Sequence, residues 1–301
     1  MTALVGDVGG THVRLALADE AGGLRHAARY RADDFASPED VLLRWLSDHG
    51  QQARALDAVI AVAGPVREGE VSMTNRDWVW READLEVAGF GRARLVNDLV
   101  AQAAGLDALS ADDLCHLGGP QAAQGPRLAL GIGTGFGGAL VTAQAIIALE
   151  PGHAHAALGA DTLRGLVDVL GRASTIEDVF SGDGLGLWHR VRTGRRLGAR
   201  ALIDSALAGE GESTRSLSEW CESLGRTCGD LALVTGARGG VWLCGGVLPR
   251  IVRLEAIGAI RRGFEDRQSL GDYVREVPLW LVTADDAALR GAAILSRREG
   301  G

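Results

Sequence analysis

The sequence predicts an α/β protein built from two units of similar plan. Short apolar strands alternate with longer stretches of helical periodicity, as in mixed sheets with helices segregated around them. A second observation is a repeated motif. A strand, a turn rich in glycine and threonine, and a return strand occur near the start of the chain and again near residue 130, which points to two related domains. The 301 residues suffice for two domains, and 47 % hydrophobic with 23 % charged residues suits a chain with a real core.

Each element has a local reason. Ala3 to Val8 reads as a short buried strand, Gly9-Gly10-Thr11 as a turn, and Val13, Leu15 and Leu17 alternate as a half-buried strand should. A third strand fits His26 to Tyr30. Ser37 caps a helix that has Pro38 at its first position and Glu39 and Asp40 at its positive end. Val41, Leu42, Trp45 and Leu46 form its apolar stripe, and Gly50 ends it. Asp57 to Val62 is apolar nearly throughout, so it is a central strand. Arg94 to Val96 is a short strand that delivers Asn97-Asp98 just before a helix over Leu99 to Leu106. A new unit begins near Ser110. It opens with a strand at Leu128 to Ile132, the Gly133-Thr134-Gly135 turn and a return strand at Gly138 to Thr142. Helical sequence then runs from Asp161 to about Gly236. A strand at Gly240 to Leu243 ends in Gly245-Gly246, the last strand is Val277 to Thr283, and the last helix is Asp286 to Arg298.

Composition excludes several function classes. A net charge of -8 argues against nucleic-acid and anionic-membrane partners, which want basic patches. All the positive side-chain charge is arginine; the chain has no lysine. A Walker-type phosphate loop and Schiff-base chemistry, both of which need lysine, are therefore excluded. Cys115, Cys221, Cys228 and Cys244 show no zinc spacing. Cys221 and Cys228, seven apart on one helix face, read as reduced core residues, which suits a cytoplasmic protein. The N-terminus lacks a signal-peptide pattern, and no run of about 18 apolar residues suggests a membrane span.

Four segments carry candidate chemistry. In Gly6-Asp7-Val8-Gly9-Gly10-Thr11, paired glycines let backbone amides approach a phosphate, Thr11 adds a hydroxyl, and Asp7 is placed to hold a hydrated Mg2+. The alternative is a tight hairpin with a capping aspartate. Gly131 to Gly138 holds five glycines in eight residues, which fits a second phosphate-facing loop or else a flexible hairpin. Asn97-Asp98 at a strand end suits two sugar hydroxyls, with Asp98 as the base that takes a proton as a hydroxyl attacks phosphorus; the commoner meaning of such a pair is a helix cap. Gly245-Gly246 permits a flat ligand such as adenine to lie on backbone, or serves only as a turn.

The order of these segments is specific. Together with Ala63-Gly64-Pro65-Val66, Met73-Thr74-Asn75-Arg76-Asp77-Trp78, Glu177-Asp178-Val179-Phe180-Ser181-Gly182 and Cys244 to Arg250, they make the whole chain resemble the bacterial glucokinase family of the hexokinase–actin superfamily, related to the ROK sugar kinases. The resemblance implies an α/β, two-domain actin-like ATPase (ribonuclease H-like) fold. A smaller domain would span 1–108 and 285–301 and a larger one 109–284, with a ligand cleft between them and the C-terminal helix packed on the N-terminal domain. It implies transfer of the γ-phosphate of ATP to the 6-hydroxyl of a hexose, with Mg2+. It makes Asp98 the catalytic base, Asn97 and Glu177 sugar ligands, Asp7, Gly9, Gly10 and Thr11 the first phosphate loop, Gly133, Thr134 and Gly135 the second, and Gly245 and Gly246 the adenosine site. Many relatives are dimers, so a homodimer is an expectation by analogy only.

One segment departs from the family. Its usual sugar-binding stretch is Pro-Gly-Glu-Gly-Gly-His, whereas this chain has Leu149-Glu150-Pro151-Gly152-His153-Ala154-His155. Aligned without a gap, His155 keeps the histidine and Gly152 takes the place of the glutamate, a loss of roughly 1.5–3 kcal/mol per hydrogen bond to a charged acceptor. Three readings follow. Glu150 reaches back to the sugar and glucose stays the substrate; or the room at Gly152 admits a 2-substituted sugar such as glucosamine or N-acetylglucosamine; or the chain is an impaired enzyme serving as a sugar sensor. His153 and His155 also resemble a metal pair, without a third ligand nearby. The rivals from other classes, a DNA-binding regulator and a chaperone-like ATPase, are disfavoured by the acidic charge, the start directly on a strand, and the Asn97-Asp98 and Glu177 blocks.

Overall fold

A computed structural model describes residues 2–20, 22–73 and 76–297. Thr74 and Asn75 of the Met73–Trp78 block, and Arg298 at the end of the expected last helix, lie outside these residues. The chain divides into two compact units, 1–109 with 286–301, and 110–285.

In the first unit, β1 (Ala3–Val8), β2 (His12–Ala18) and β3 (Leu24–Arg31) form an antiparallel meander. β4 (Asp57–Val62) and β7 (Ala93–Asn97) extend it in parallel, so the described residues give a five-stranded sheet ordered β3-β2-β1-β4-β7. A small separate hairpin joins β5 (Glu70–Ser72) to β6 (Val79–Arg81). Strand β4 is buried at all but its first residue, as its unbroken apolar run requires. Helix α1 (Pro38–Asp48) starts at a capping box: the Ser37 hydroxyl accepts from the Asp40 N–H while the Asp40 carboxylate accepts from the Ser37 N–H. Its stripe of Val41, Leu42, Trp45 and Leu46 is buried. Helix α2 spans Glu82–Val87 and α3 spans Asp98–Gly105, followed by a tight turn over Leu106–Ala108 rather than the expected continuous helix to Leu106.

The C-terminal helix (Ala287–Leu295) returns to this unit and packs on α3 and β1. Its contact with α3 is made by backbone. A Cβ on Gly291 would lie 1.6 Å from the Ala101 carbonyl oxygen, and one on Gly105 would lie 2.5 Å from that of Ala287. The two helices approach this closely only because both positions are glycine.

The second unit repeats the plan. β9 (Arg127–Ile132), β10 (Phe136–Val141) and β11 (Ile146–Leu149) form an antiparallel meander, and β12 (Gly240–Cys244) and β13 (Leu279–Val282) continue in parallel. β8 (Leu114–Gly118) adds an antiparallel edge, giving a described order of β11-β10-β9-β12-β13-β8. The first five strands of that order match the first unit's sheet one for one, which is the structural content of the repeated sequence motif. Between β11 and β12 come α4 (Ala160–Leu170), α5 (Ile176–Phe180), α6 (Gly182–Thr193), α7 (Ala199–Leu207) and α8 (Gly211–Thr235). Between β12 and β13 come α9 (Ile257–Glu265) and α10 (Gly271–Arg275). Cys221 and Cys228 are buried on α8, and burial pushes both thiols well up, that of Cys228 to about 12, so both stay protonated. Among the described residues, no helix is long and apolar enough to cross a membrane.

Candidate active site

In the first unit, the chain leaves β1 at Val8 and turns through Gly9, Gly10 and Thr11 into β2. The Gly9 N–H donates to the His12 carbonyl at 3.0 Å, so it closes the hairpin and does not face outward. The N–H groups of Gly10 and Thr11 meet no acceptor among the described residues. Asp7 sits opposite Arg14 in the β1–β2 register, and its Oδ2 accepts from the Arg14 guanidinium at 3.0 Å. Asp7 is only 15 % exposed, so it is a partly buried, ion-paired carboxylate rather than a solvated one. Burial, and then Arg29, Arg14 and Arg31, push the His12 imidazole below its ordinary value.

Arg76 holds the turn from outside. Its guanidinium donates to the Gly10 carbonyl at 3.4 Å and the Ala32 carbonyl at 3.1 Å, pairs with Asp33, and lies over the Trp78 ring. Sequence reasoning quoted the block that contains Arg76 but gave the residue no role.

Asn97 and Asp98 stand at the junction of β7 and α3. The Asn97 Oδ1 accepts from the N–H groups of Leu99 (3.0 Å) and Val100 (3.2 Å), so Asn97 is the N-cap of α3. Its Nδ2 donates to the Gly64 carbonyl at 3.0 Å. An amide nitrogen carries two hydrogens, so Asn97 keeps one N–H for a ligand and has already used its oxygen. Asp98 opens the helix, and its Oδ1 accepts from the Leu99 N–H at 2.9 Å. The cap and the ligand readings of this pair are therefore compatible: capping fixes Asn97, and that fixes where Asp98 begins.

In the second unit, Gly133-Thr134-Gly135 joins β9 to β10. The Gly133 N–H donates to the Gly135 carbonyl at 3.0 Å, and the Gly182 N–H donates to the Gly133 carbonyl at 2.8 Å. As in the first turn, two N–H groups, those of Thr134 and Gly135, meet no acceptor among the described residues. Gly245 follows β12 with a φ of +99°, and a Cβ there would lie 2.4 Å from the Ile132 carbonyl oxygen. Gly245 thus has a structural reason to be glycine, whereas Gly246 has nothing within 4 Å of its Cβ position and leaves the backbone surface open.

Glu177 lies in the first turn of α5. Thr175 caps this helix through a capping box with Asp178, and Arg172 pairs with both Asp178 oxygens at 2.7 and 2.8 Å. The Arg172 hydrogen bonds, helped by those from Thr175, hold the Asp178 carboxyl at about 2. The Glu177 carboxylate itself turns toward the β9–β10 loop, where Oε2 accepts from the Phe136 N–H at 2.8 Å.

The segment from Glu150 to His155 bears on two of the open readings. Pro151–His153 is one tight helical turn, so His153 and His155 are not paired on a strand; His155 bridges Thr175, and the described residues contain no group of three or more metal-ligating side chains. Nor does Gly152 leave room for a larger ligand. A Cβ on Gly152 would lie 2.1 Å from the Phe136 carbonyl oxygen and 3.3 Å from the Glu177 Cβ. The position is glycine because two backbones touch there, and no glutamate side chain fits it. Glu150 and His153, by contrast, are 52 % and 71 % exposed, with Glu150 Oε2 and His153 Nε2 4.0 Å apart. Glu150-Pro151-Gly152-His153 is itself a Glu-x-Gly-His run, the spacing inside the family's Glu-Gly-Gly-His, displaced by two residues from the gap-free alignment.

The glucokinase family model matches residues 4–299. The chain belongs to the glucokinase family. A glucokinase of Caulobacter sp. (strain K31) is 39 % identical over 99 % of this chain and 95 % of the relative. The crystal structure of a glucokinase from an Antarctic psychrotroph superposes with a TM-score of 0.86 at 30 % identity, covering 98 % of both chains. A ROK family glucokinase from Streptomyces griseus, solved in complex with glucose and AMPPNP, shares the fold with a TM-score of 0.71 at 20 % identity over 98 % of this chain and 99 % of that one. The fold is accordingly that of the actin-like ATPases, and the duplicated sheet order is this glucokinase-family member's own record of it.

Proposed function

We propose that this chain transfers the γ-phosphate of ATP to the 6-hydroxyl of glucose, with Asp98 as the general base. The observation that carries the reading is the fixed junction at Asn97 and Asp98. Asn97 is locked by its cap and by Gly64, and the carboxylate that follows it is set on the first turn of α3. Phosphoryl transfer asks mainly for positioning and for a group that orients the attacking hydroxyl. Asp98 would accept the 6-hydroxyl proton as that oxygen attacks phosphorus. The remaining Asn97 N–H would donate to a sugar oxygen.

Within the second unit, Glu150, His153 and Glu177 are assigned to the sugar. This reading takes Glu150 as the family's glutamate and His153, rather than His155, as its histidine. It leaves glucose as the substrate, because the argument for a 2-substituted sugar was room at Gly152, and that room is filled by the Phe136 carbonyl. The N–H groups of Gly10, Thr11, Thr134 and Gly135 are the donors assigned to phosphate, and Gly246 the surface for the adenine. This suits a chain without lysine, since backbone amides bind phosphate without side-chain charge. Mg2+ would arrive with the nucleotide, keeping several waters and needing one or two carboxylates. Asp7 fits that requirement only through water, because Arg14 already holds its Oδ2. Bound there, the ion would neutralise phosphate charge.

The test is ADP release from Mg-ATP with glucose, mannose, glucosamine, N-acetylglucosamine, fructose and no sugar, for the parent and for Asp98→Asn. Glucose should be preferred, and the variant should lose about 10²–10⁴-fold in kcat while keeping glucose affinity within a few-fold. Sustained turnover by the variant would overturn the assignment of the base. Preference for N-acetylglucosamine would overturn the substrate.

A further inference from the structure

The Glu177 carboxylate has a second task that its sugar-facing role does not require. Its Oε2 accepts from the Phe136 N–H at 2.8 Å, and Phe136 is the first residue after the Gly133-Thr134-Gly135 turn. A Cβ on Gly135 would lie 2.5 Å from that same oxygen, so this approach exists only because residue 135 is glycine. The other side of the Phe136 peptide is also occupied: its carbonyl oxygen is where a Gly152 Cβ would fall, at 2.1 Å, and Gly152 rests against the Glu177 Cβ. The segment beyond Glu177 then reaches the turn again, through the Gly182 N–H on the Gly133 carbonyl at 2.8 Å. Two loops, the β9–β10 turn and the Glu150–His153 turn, are thus packed around one side chain.

The anchor is itself held. Arg172 and Thr175 fix Asp178, the neighbour of Glu177, and the Ile176 N–H donates to the Ala154 carbonyl at 2.8 Å while the Ala156 N–H donates to that of Ser174 at 3.0 Å. The residues after the Glu150–His153 turn are therefore laced to the start of α5. The Glu177 Oε1 makes no hydrogen bond among the described residues, so one carboxylate serves the loop with one oxygen and keeps the other for a ligand.

We propose that Glu177 is a positioning residue for the nucleotide. It holds the β9–β10 turn in the shape that binds the phosphates of a nucleoside triphosphate, and it couples that shape to occupancy of the sugar subsite. The proposal rests on the reading of Gly133–Gly135 as a phosphate loop and of Glu177 as a sugar ligand. A side chain that only binds sugar has no effect on nucleotide affinity when sugar is absent, which separates the two roles.

The experiment is isothermal titration of the full chain with Mg-AMPPNP without sugar, and separately with glucose, for the parent, Glu177→Ala, Glu177→Gln and Gly135→Ala. Circular dichroism and melting confirm that each variant is folded. Glu177→Ala should weaken AMPPNP about tenfold without sugar, the loss of one charge-assisted hydrogen bond. Glu177→Gln should restore most of that affinity, because its amide oxygen can still accept from Phe136. Gly135→Ala, which displaces the carboxylate without changing it, should behave as Glu177→Ala. If Glu177→Ala weakens glucose but leaves AMPPNP unchanged, the positioning role is wrong and the sugar reading stands. If neither ligand is affected, both are wrong.

Discussion

Replacing Gly152 with alanine tests the site through a single methyl group. The added Cβ would sit 2.1 Å from the Phe136 carbonyl oxygen, a backbone atom inside a paired strand that cannot swing aside. Restoring an ordinary contact, 3.4 Å or more, requires the Glu150–His153 turn to retreat by over 1 Å. Overpacking of this kind costs about 3 kcal/mol where the neighbour is rigid. For a unit of this size each kcal/mol lowers the melting temperature by about 2–4 °C, so the expected drop is roughly 6–12 °C. A displacement of about 1 Å in substrate-positioning groups also costs about 10² in rate, so kcat/KM for glucose should fall by that factor. The assay is differential scanning calorimetry beside ADP-coupled turnover. Gly211→Ala, where nothing lies within 4 Å of the Cβ position and φ is not positive, is the control and should be neutral or slightly stabilising. A Gly152→Ala protein with parental melting temperature and undiminished glucose turnover would refute the close-contact account. A variant with parental stability that lost only N-acetylglucosamine turnover would show instead that the position is sugar space.

Two further outcomes follow from the same geometry. Gly291→Ala should be more damaging than Gly152→Ala, because its Cβ would fall 1.6 Å from the Ala101 carbonyl; we expect a loss above about 3 kcal/mol, read as a collapse of the calorimetric transition, with Asp98 activity lost alongside because α3 moves. Asp178→Asn should show a pH-dependent deficit. The folded carboxyl is held at about 2 against an ordinary 3.8, so its contribution is fully present above about pH 4 and fades as pH falls toward 2. The gap between parent and variant, about 2 kcal/mol at most, should be level from pH 7 to 5 and narrow steadily below pH 4; a gap undiminished at pH 2.5 would contradict the ion-pair origin.

The regular parts of this fold were legible because several local signals agreed at the same residues. At α1, a cap, a proline, two acids and an apolar stripe coincide, and the helix begins where they say it does. At β1 and β4, largely apolar runs gave Ala3–Val8 and Asp57–Val62 without error. Three helices, Glu82–Val87, Ile257–Glu265 and Gly271–Arg275, escaped notice, as did four short strands: Glu70–Ser72, Val79–Arg81, Leu114–Gly118 and Ile146–Leu149. Three to five residues hold too few periods for alternation to register, and each of these sits at an edge or in a separate hairpin, where exposure is mixed. The return strand after Gly135 was placed two residues late because Gly137 extends the glycine-rich look of the turn; in the sheet Phe136 and Gly137 pair with Ile132 and Gly131.

Glycine was also the source of the main misreading in the candidate site. A sequence shows that a side chain is missing, and it does not show whether the space is open or occupied. Gly246 and Gly152 are alike in the sequence and opposite in the structure: one faces nothing within 4 Å, the other meets a carbonyl at 2.1 Å. The Gly152 contact removes the room on which the alternative of a 2-substituted sugar rested, because the position of the missing side chain is filled by backbone. The same contact is compatible with the proposed register of the segment, in which Gly152 is the packing glycine of the Glu-x-Gly-His run and Glu150 and His153 are its acid and its imidazole.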